Sequence, residues 1–76
     1  MYKIYTQDLC EYCTIAKQIL RRENIEFEEI NISKDHKGKF FFLQQRHRTV
    51  PQIYNEDKHI GDCSTLIEKY GRSQYE

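Results

Sequence analysis

Neither sign of charge is in surplus: twelve Lys and Arg side chains balance twelve Asp and Glu. A general nucleic-acid binder carries a basic excess, so that class is excluded. Long apolar runs are also missing. The longest, Phe40-Phe41-Phe42-Leu43, is far short of the ~20 residues that cross a bilayer. The opening Met1-Tyr2-Lys3-Ile4-Tyr5 lacks the apolar core of a secretion signal, so a cytoplasmic chain with no membrane partner is expected. There is no repeat, linker or low-complexity stretch, which predicts one domain over residues 1–76. At 76 residues that domain is near the size where a single core is marginally sufficient. Cysteine is scarce and odd in number, three in all, which does not suit a closed disulfide framework.

What is present patterns into short elements. Tyr2 and Ile4 alternate with more polar neighbours, predicting a strand over 2–6. Ile15, Ala16, Ile19 and Leu20 recur at helical spacing with Lys17, Gln18, Arg21 and Arg22 on the other face, predicting a helix over 11–23. A second strand is expected over 26–32 and a second helix over 35–46. Two short strands over 51–54 and 57–60 flank a turn at Asn55-Glu56. A last helix over 63–70 ends at Gly71. The first β-α-β unit implies a parallel pair with a crossover helix. The closing hairpin implies antiparallel pairing, and together they give a mixed sheet with helices on its faces.

Two cysteines, Cys10 and Cys13, stand one helical turn apart where the first strand gives way to the first helix. In a reducing compartment such a pair is redox-active or metal-binding rather than a staple. The first turn of a helix has unpaired N–H groups and a partial positive charge. A thiolate is stabilised there, so Cys10 should ionise below the usual value of roughly 8.5. Thiolate is the attacking species in disulfide exchange, and Cys13 can then attack a mixed disulfide formed on Cys10. A structural zinc site needs four ligands. Cys63, His36, His47 and His59 are available but form no tight second pair. A Cys-x-x-Cys beside a β-α-β pattern is a specific redox signal.

With these residues in place the chain resembles the glutaredoxin family over nearly its whole length. Tyr5-Thr6 leading to Cys10-Glu11-Tyr12-Cys13 is similar to the family's Cys-Pro-Tyr-Cys. Arg48-Thr49-Val50-Pro51-Gln52-Ile53 matches its Thr-Val-Pro segment, and His59-Ile60-Gly61-Asp62-Cys63 resembles its Ile-Gly-Gly-Cys stretch. The resemblance implies a thioredoxin-like α/β fold with a four-stranded mixed sheet and three helices, and a thiol-disulfide oxidoreductase. Cys10 would be the nucleophile and Cys13 the resolving thiol. Glutathione would be the co-substrate, with no bound cofactor and no metal. Pro51 would be a cis-proline beside the site; a trans proline opening an edge strand is the plainer alternative. Thr49 and Val50 precede it, and the Val50 backbone would pair with the cysteinyl part of glutathione as an added strand does. Cys63 and Ser64 match positions whose backbone would bind the γ-glutamyl end at a helix start; Cys63 also reads as an ordinary buried thiol. Arg48 would take the glycine carboxylate bidentately or stand solvated, and Tyr12 would line the groove or pack.

The sequence departs from the family pattern at several positions. Glu11 replaces the usual proline; its charge opposes a thiolate on Cys10. Gln7 stands where lysine is common, leaving the glycine carboxylate to Gln7's amide, Arg48, Lys39 or Gln44. Asp62 replaces the second glycine and Thr65 a common aspartate; Asp62 would cap the last helix, contact the glutathione ammonium, or both. Lys34 to Lys39 read as a solvated loop and helix start. The three phenylalanines read as packing rather than as a ligand site. The partners this implies are glutathione and disulfide-containing or glutathionylated proteins, ribonucleotide reductase being one candidate, with a monomer expected. A redoxin fed by thioredoxin reductase is the nearest rival, and an iron-sulfur cluster module a more distant one.

Overall fold

The computed structural model describes residues 1–71 and arranges them as a four-stranded mixed sheet with three helices. Strand β1 (Tyr2–Thr6) runs parallel to β2 (Phe27–Asn31) and antiparallel to β3 (Gln52–Asn55). β3 pairs antiparallel with β4 (Lys58–Gly61), giving the order β2-β1-β3-β4. Helices α1 (Glu11–Arg22), α2 (His36–Gln44) and α3 (Cys63–Tyr70) complete it. The element order and the mixture of parallel and antiparallel pairing are as the sequence predicts.

Successive residues of a strand point to opposite faces, so two neighbours that are both buried show that both faces are covered. Ile4 and Tyr5 of β1 are such a pair. Ile4 and Ile53 face Ala16, Ile19 and Leu20 of α1 and Leu66 of α3 in one cluster. Tyr5 and Tyr54 face Phe42 of α2 in the other. The sheet therefore lies between α1 and α3 on one side and α2 on the other. Only Phe42 of the three phenylalanines is buried; Phe41 stacks on Tyr5 and Phe40 is exposed. A helix turns each successive side chain by about 100°, so three in a row cannot share one face.

Element ends shift by a residue or two from their predicted places, for local reasons. Asp35 lies outside α2 as its N-cap, accepting from the Gly38 N–H at 2.9 Å. Arg46 ends the same helix by turning left-handed at φ 66°. Gly38 packs so closely on Ile30 of β2 that a Cβ would collide with its methyl, which explains a glycine inside the helix. Pro51 has no N–H to give a ladder, and β3 starts after it at Gln52. The hairpin turn is accordingly Glu56-Asp57, between Asn55 and Lys58, with Glu56 at φ 57°. Gly71 ends α3 as expected, its N–H reaching the Ile67 carbonyl at 2.8 Å.

Candidate active site

The β1–α1 junction delivers the two cysteines. Cys10 is extended (φ −120°, ψ 105°) and serves as N-cap of α1, its sulfur accepting from the Cys13 N–H at 3.1 Å. Serine or aspartate oxygen normally fills that role; here sulfur sits where the helix presents its unpaired donors. Cys10 and Cys13 are joined as a disulfide with Cα atoms 5.3 Å apart, an ordinary bridging separation. Cys10 is half-buried while Cys13 is only 2% exposed. An incoming group therefore meets Cys10 first. Glu11 and Tyr12, between them, both point to solvent.

A second segment, 48–51, enters from β3, and the Val50–Pro51 peptide is cis. Buried Gln52 braces this segment from behind: its amide donates to the Thr49 carbonyl at 3.0 Å and to the Thr49 hydroxyl at 3.2 Å. The Gln52 oxygen meets His59 Nε2 at 2.7 Å. His47 Nε2 lies 2.6 Å from the Tyr54 hydroxyl, and the two imidazoles lie 4.8 Å apart. Burial, followed by the neighbouring His59, holds His47 below the usual histidine value.

The third part is the start of α3. Asp62 and Thr65 form a reciprocal capping box: Asp62 Oδ1 accepts from the Thr65 N–H at 3.2 Å and the Asp62 N–H donates to the Thr65 hydroxyl at 3.3 Å. Gly61 just before it sits at φ 145°, so tightly against Thr65 that a Cβ would overlap it. Asp62 is thus a helix cap, as one of the two readings has it. Cys63 is buried in the cluster with Ile4, Ile53 and Leu66, while Ser64 is exposed.

These parts converge on two adjoining hollows. One, of about 310 Å³, is lined by Tyr12, Thr49, Val50, Pro51, Asp62, Cys63 and Ser64. The other, of about 360 Å³, adds Gln7, Cys10 and Arg48 to Tyr12, Thr49 and Val50. Of the candidate site residues, all but Cys13, Lys39 and Gln44 lie on one or the other, and Cys13 lines a third hollow that it shares with Cys10. Lys39 and Gln44 line none of the three. The sequence did not single out Leu9 or Phe42, which also line the hollow at Cys10. The signal for Leu9 is local: it is an apolar residue directly before Cys10, after polar Gln7 and Asp8.

Behind Cys10 the third hollow holds Lys17 and Glu29, an ion pair at 3.0 Å. Burial alone would raise the Glu29 carboxyl. Hydrogen bonds from Thr6 (2.8 Å) and Lys17 outweigh it and hold the group below the usual carboxylate range. Among the described residues no cluster of three or more His, Cys, Asp or Glu is placed to hold a metal ion. Among the described residues no helix is long and apolar enough to cross a membrane.

Comparison with known proteins agrees with this geometry. The glutaredoxin family model matches residues 3–60. Glutaredoxin 1 of Rickettsia conorii is 39% identical over 74 residues, covering 91% of this chain and 72% of that protein. Glutaredoxin 3 of Escherichia coli K12 is 35% identical over 65 residues, covering 84% and 78%. The solution structure of glutaredoxin from Brucella melitensis superposes with a TM-score of 0.72 at 34% identity, covering 92% of this chain and 79% of that one. The likeness assigns the thioredoxin-like fold.

Proposed function

The chain belongs to the glutaredoxin family and is a thiol-disulfide oxidoreductase with a Cys-x-x-Cys redox site, and we propose that it takes its electrons from glutathione and reduces glutathione mixed disulfides and protein disulfides, its whole length acting as one domain. The observation that carries this reading is the convergence of Cys10, the Thr49-Val50-Pro51 segment and the start of α3 on two adjoining hollows.

Each part has a task. The Cys10 thiolate attacks one sulfur of a substrate disulfide; a new S–S bond forms on Cys10 and the other substrate sulfur leaves as thiolate. With a glutathione mixed disulfide, attack on the glutathione sulfur frees the protein thiol, and a second glutathione thiolate releases glutathione disulfide from Cys10. With a protein disulfide, Cys13 instead attacks the Cys10 sulfur. This forms the bridge seen here and releases the dithiol. Two glutathione molecules then reduce the bridge. They supply two electrons and two protons and leave as their own disulfide.

The glutathione moiety would lie across the hollows as an added strand against the Val50 backbone. Its γ-glutamyl carboxylate would meet the N–H groups of Cys63 and Ser64 at the α3 start, its ammonium the Asp62 carboxylate, and its glycine carboxylate Arg48 and Gln7. Tyr12 would cover the sulfur. Ribonucleotide reductase fits as one disulfide substrate, and a reducing compartment such as the cytoplasm as the setting.

The test is turnover of a glutathionylated peptide with glutathione and glutathione reductase. Cys10→Ser should abolish it and Cys13→Ser should retain it. An inactive wild type that is instead reduced by thioredoxin reductase would overturn the glutathione reading.

A further inference from the structure

We propose that Leu9 is a specificity-determining residue: its side chain is an apolar contact for polypeptide disulfides, including glutathionylated ones, whose polypeptide cysteine is flanked by an apolar residue. The proposal rests on the disulfide-reducing reading above and adds a substrate preference to it.

Leu9 is doubly unfavourable for the fold alone. Its side chain is wholly exposed, at 104% of the reference area, so it contributes nothing to either core cluster. Its backbone is left-handed at φ 56°, a conformation that costs a γ-branched residue energy that glycine or asparagine would avoid. Residues held this way gather at functional sites, and an observed outlier there is grounds for a functional hypothesis. Any short polar residue would turn the chain between Asp8 and Cys10. Leucine adds only an apolar surface.

That surface has a definite place. Leu9 immediately precedes the nucleophile and lines the same hollow as Cys10, Tyr12, Phe42 and Val50. Tyr12, on the other side of Cys10 in sequence, is also exposed, at 59%. A polypeptide disulfide docked at Cys10 therefore carries the residues beside its cysteine, whether that sulfur is attacked or leaves, past two exposed apolar side chains. A polypeptide has such neighbours, whereas a small mixed disulfide does not. An apolar neighbour would be drawn from water onto Leu9; a charged one would gain nothing there.

The experiment compares wild type with Leu9→Asn and Leu9→Gly, both able to adopt the left-handed turn. Three substrates are used: a glutathionylated peptide with leucine on either side of its cysteine, the same peptide with serines, and the mixed disulfide of glutathione with 2-mercaptoethanol. Partial burial of one leucine side chain corresponds to about tenfold in kcat/KM. We expect that loss for the leucine-flanked peptide and less than about twofold for the other two, with thermal stability unchanged or raised. An equal loss on all three substrates would make Leu9 a positioning residue and overturn the proposal, as would no loss on any. A wild type that turns over none of these with glutathione is assayed on two-cysteine versions of the two peptides, each closed by an intramolecular disulfide and flanked by leucines or by serines, with thioredoxin reductase as donor. The leucine preference is then tested although the glutathione reading has failed.

Discussion

Asp62 carries two separable loads, and one pair of substitutions parts them. The carboxylate caps α3, an eight-residue helix that contributes Cys63 and Leu66 to the core. It is also the group proposed to meet the glutathione ammonium. Asp62→Ala removes the acceptor at 3.2 Å from the Thr65 N–H and breaks the capping box. An N-cap truncation costs about 1 kcal/mol, which for a chain of this length lowers the melting temperature by roughly 4–8 °C. Asparagine caps about as well as aspartate, so Asp62→Asn should melt within about 2 °C of wild type. The amide carries no charge, however. A partly exposed ion pair contributes about 0.2–1 kcal/mol, so KM for a glutathione mixed disulfide should rise by up to about fivefold in both variants. Thermal unfolding by circular dichroism and steady-state kinetics read the two effects independently. An Asp62→Ala protein that melts with wild type refutes the cap; an Asp62→Asn protein with unchanged KM refutes the ammonium contact.

Two further outcomes follow from the site's charges. Glu11→Pro removes an acid from the first turn of α1 beside Cys10 and should lower the thiol pKa of Cys10 in the reduced protein. Thiolate absorbance during titration reads it, and an unchanged or higher value would contradict the argument. His47 is held below its usual pKa by burial and by His59, so the unfolded chain binds its proton more readily than the folded one. Stability should be full above the unfolded value of about 6.5 and fall as the solution is acidified through it toward the lower folded value. Denaturant titrations between neutral and mildly acid pH should show that fall in wild type and a shallower one in His47→Phe; parallel slopes would remove His47 as the cause.

Which features the sequence displays depends on how local their causes are. The Cys10–Cys13 pair, the amphipathic α1 and the Thr49-Val50-Pro51 segment are each written in a few adjacent residues, and the hollows contain nearly every residue they point to. The capping box is legible for the same reason, because its partners stand three apart. Other features depend on residues that meet only after folding. The Gln52 brace reaches forward to His59 and back to Thr49, and His47 finds Tyr54 across the sheet end. Three left-handed turns fall on Leu9, Arg46 and Glu56, types that carry no sequence signal for positive φ. Which of Phe40, Phe41 and Phe42 is buried follows from the phase of α2 over the sheet, and Asp35 sets that phase as its cap.

The unequal burial of the three sulfurs gives the protein a chemical tally of its own redox state. Cys10 is half-buried, whereas Cys13 and Cys63 are 2% and 4% exposed. A bulky maleimide offered to the native reduced protein should add one mass increment, on Cys10, and three only after unfolding. The native oxidised protein should add none, and unfolding without reductant should add one, on Cys63. The count of increments before and after denaturant thus reports how much of a cell's pool of this protein is oxidised, with Cys63 as the internal standard that confirms the label was in excess.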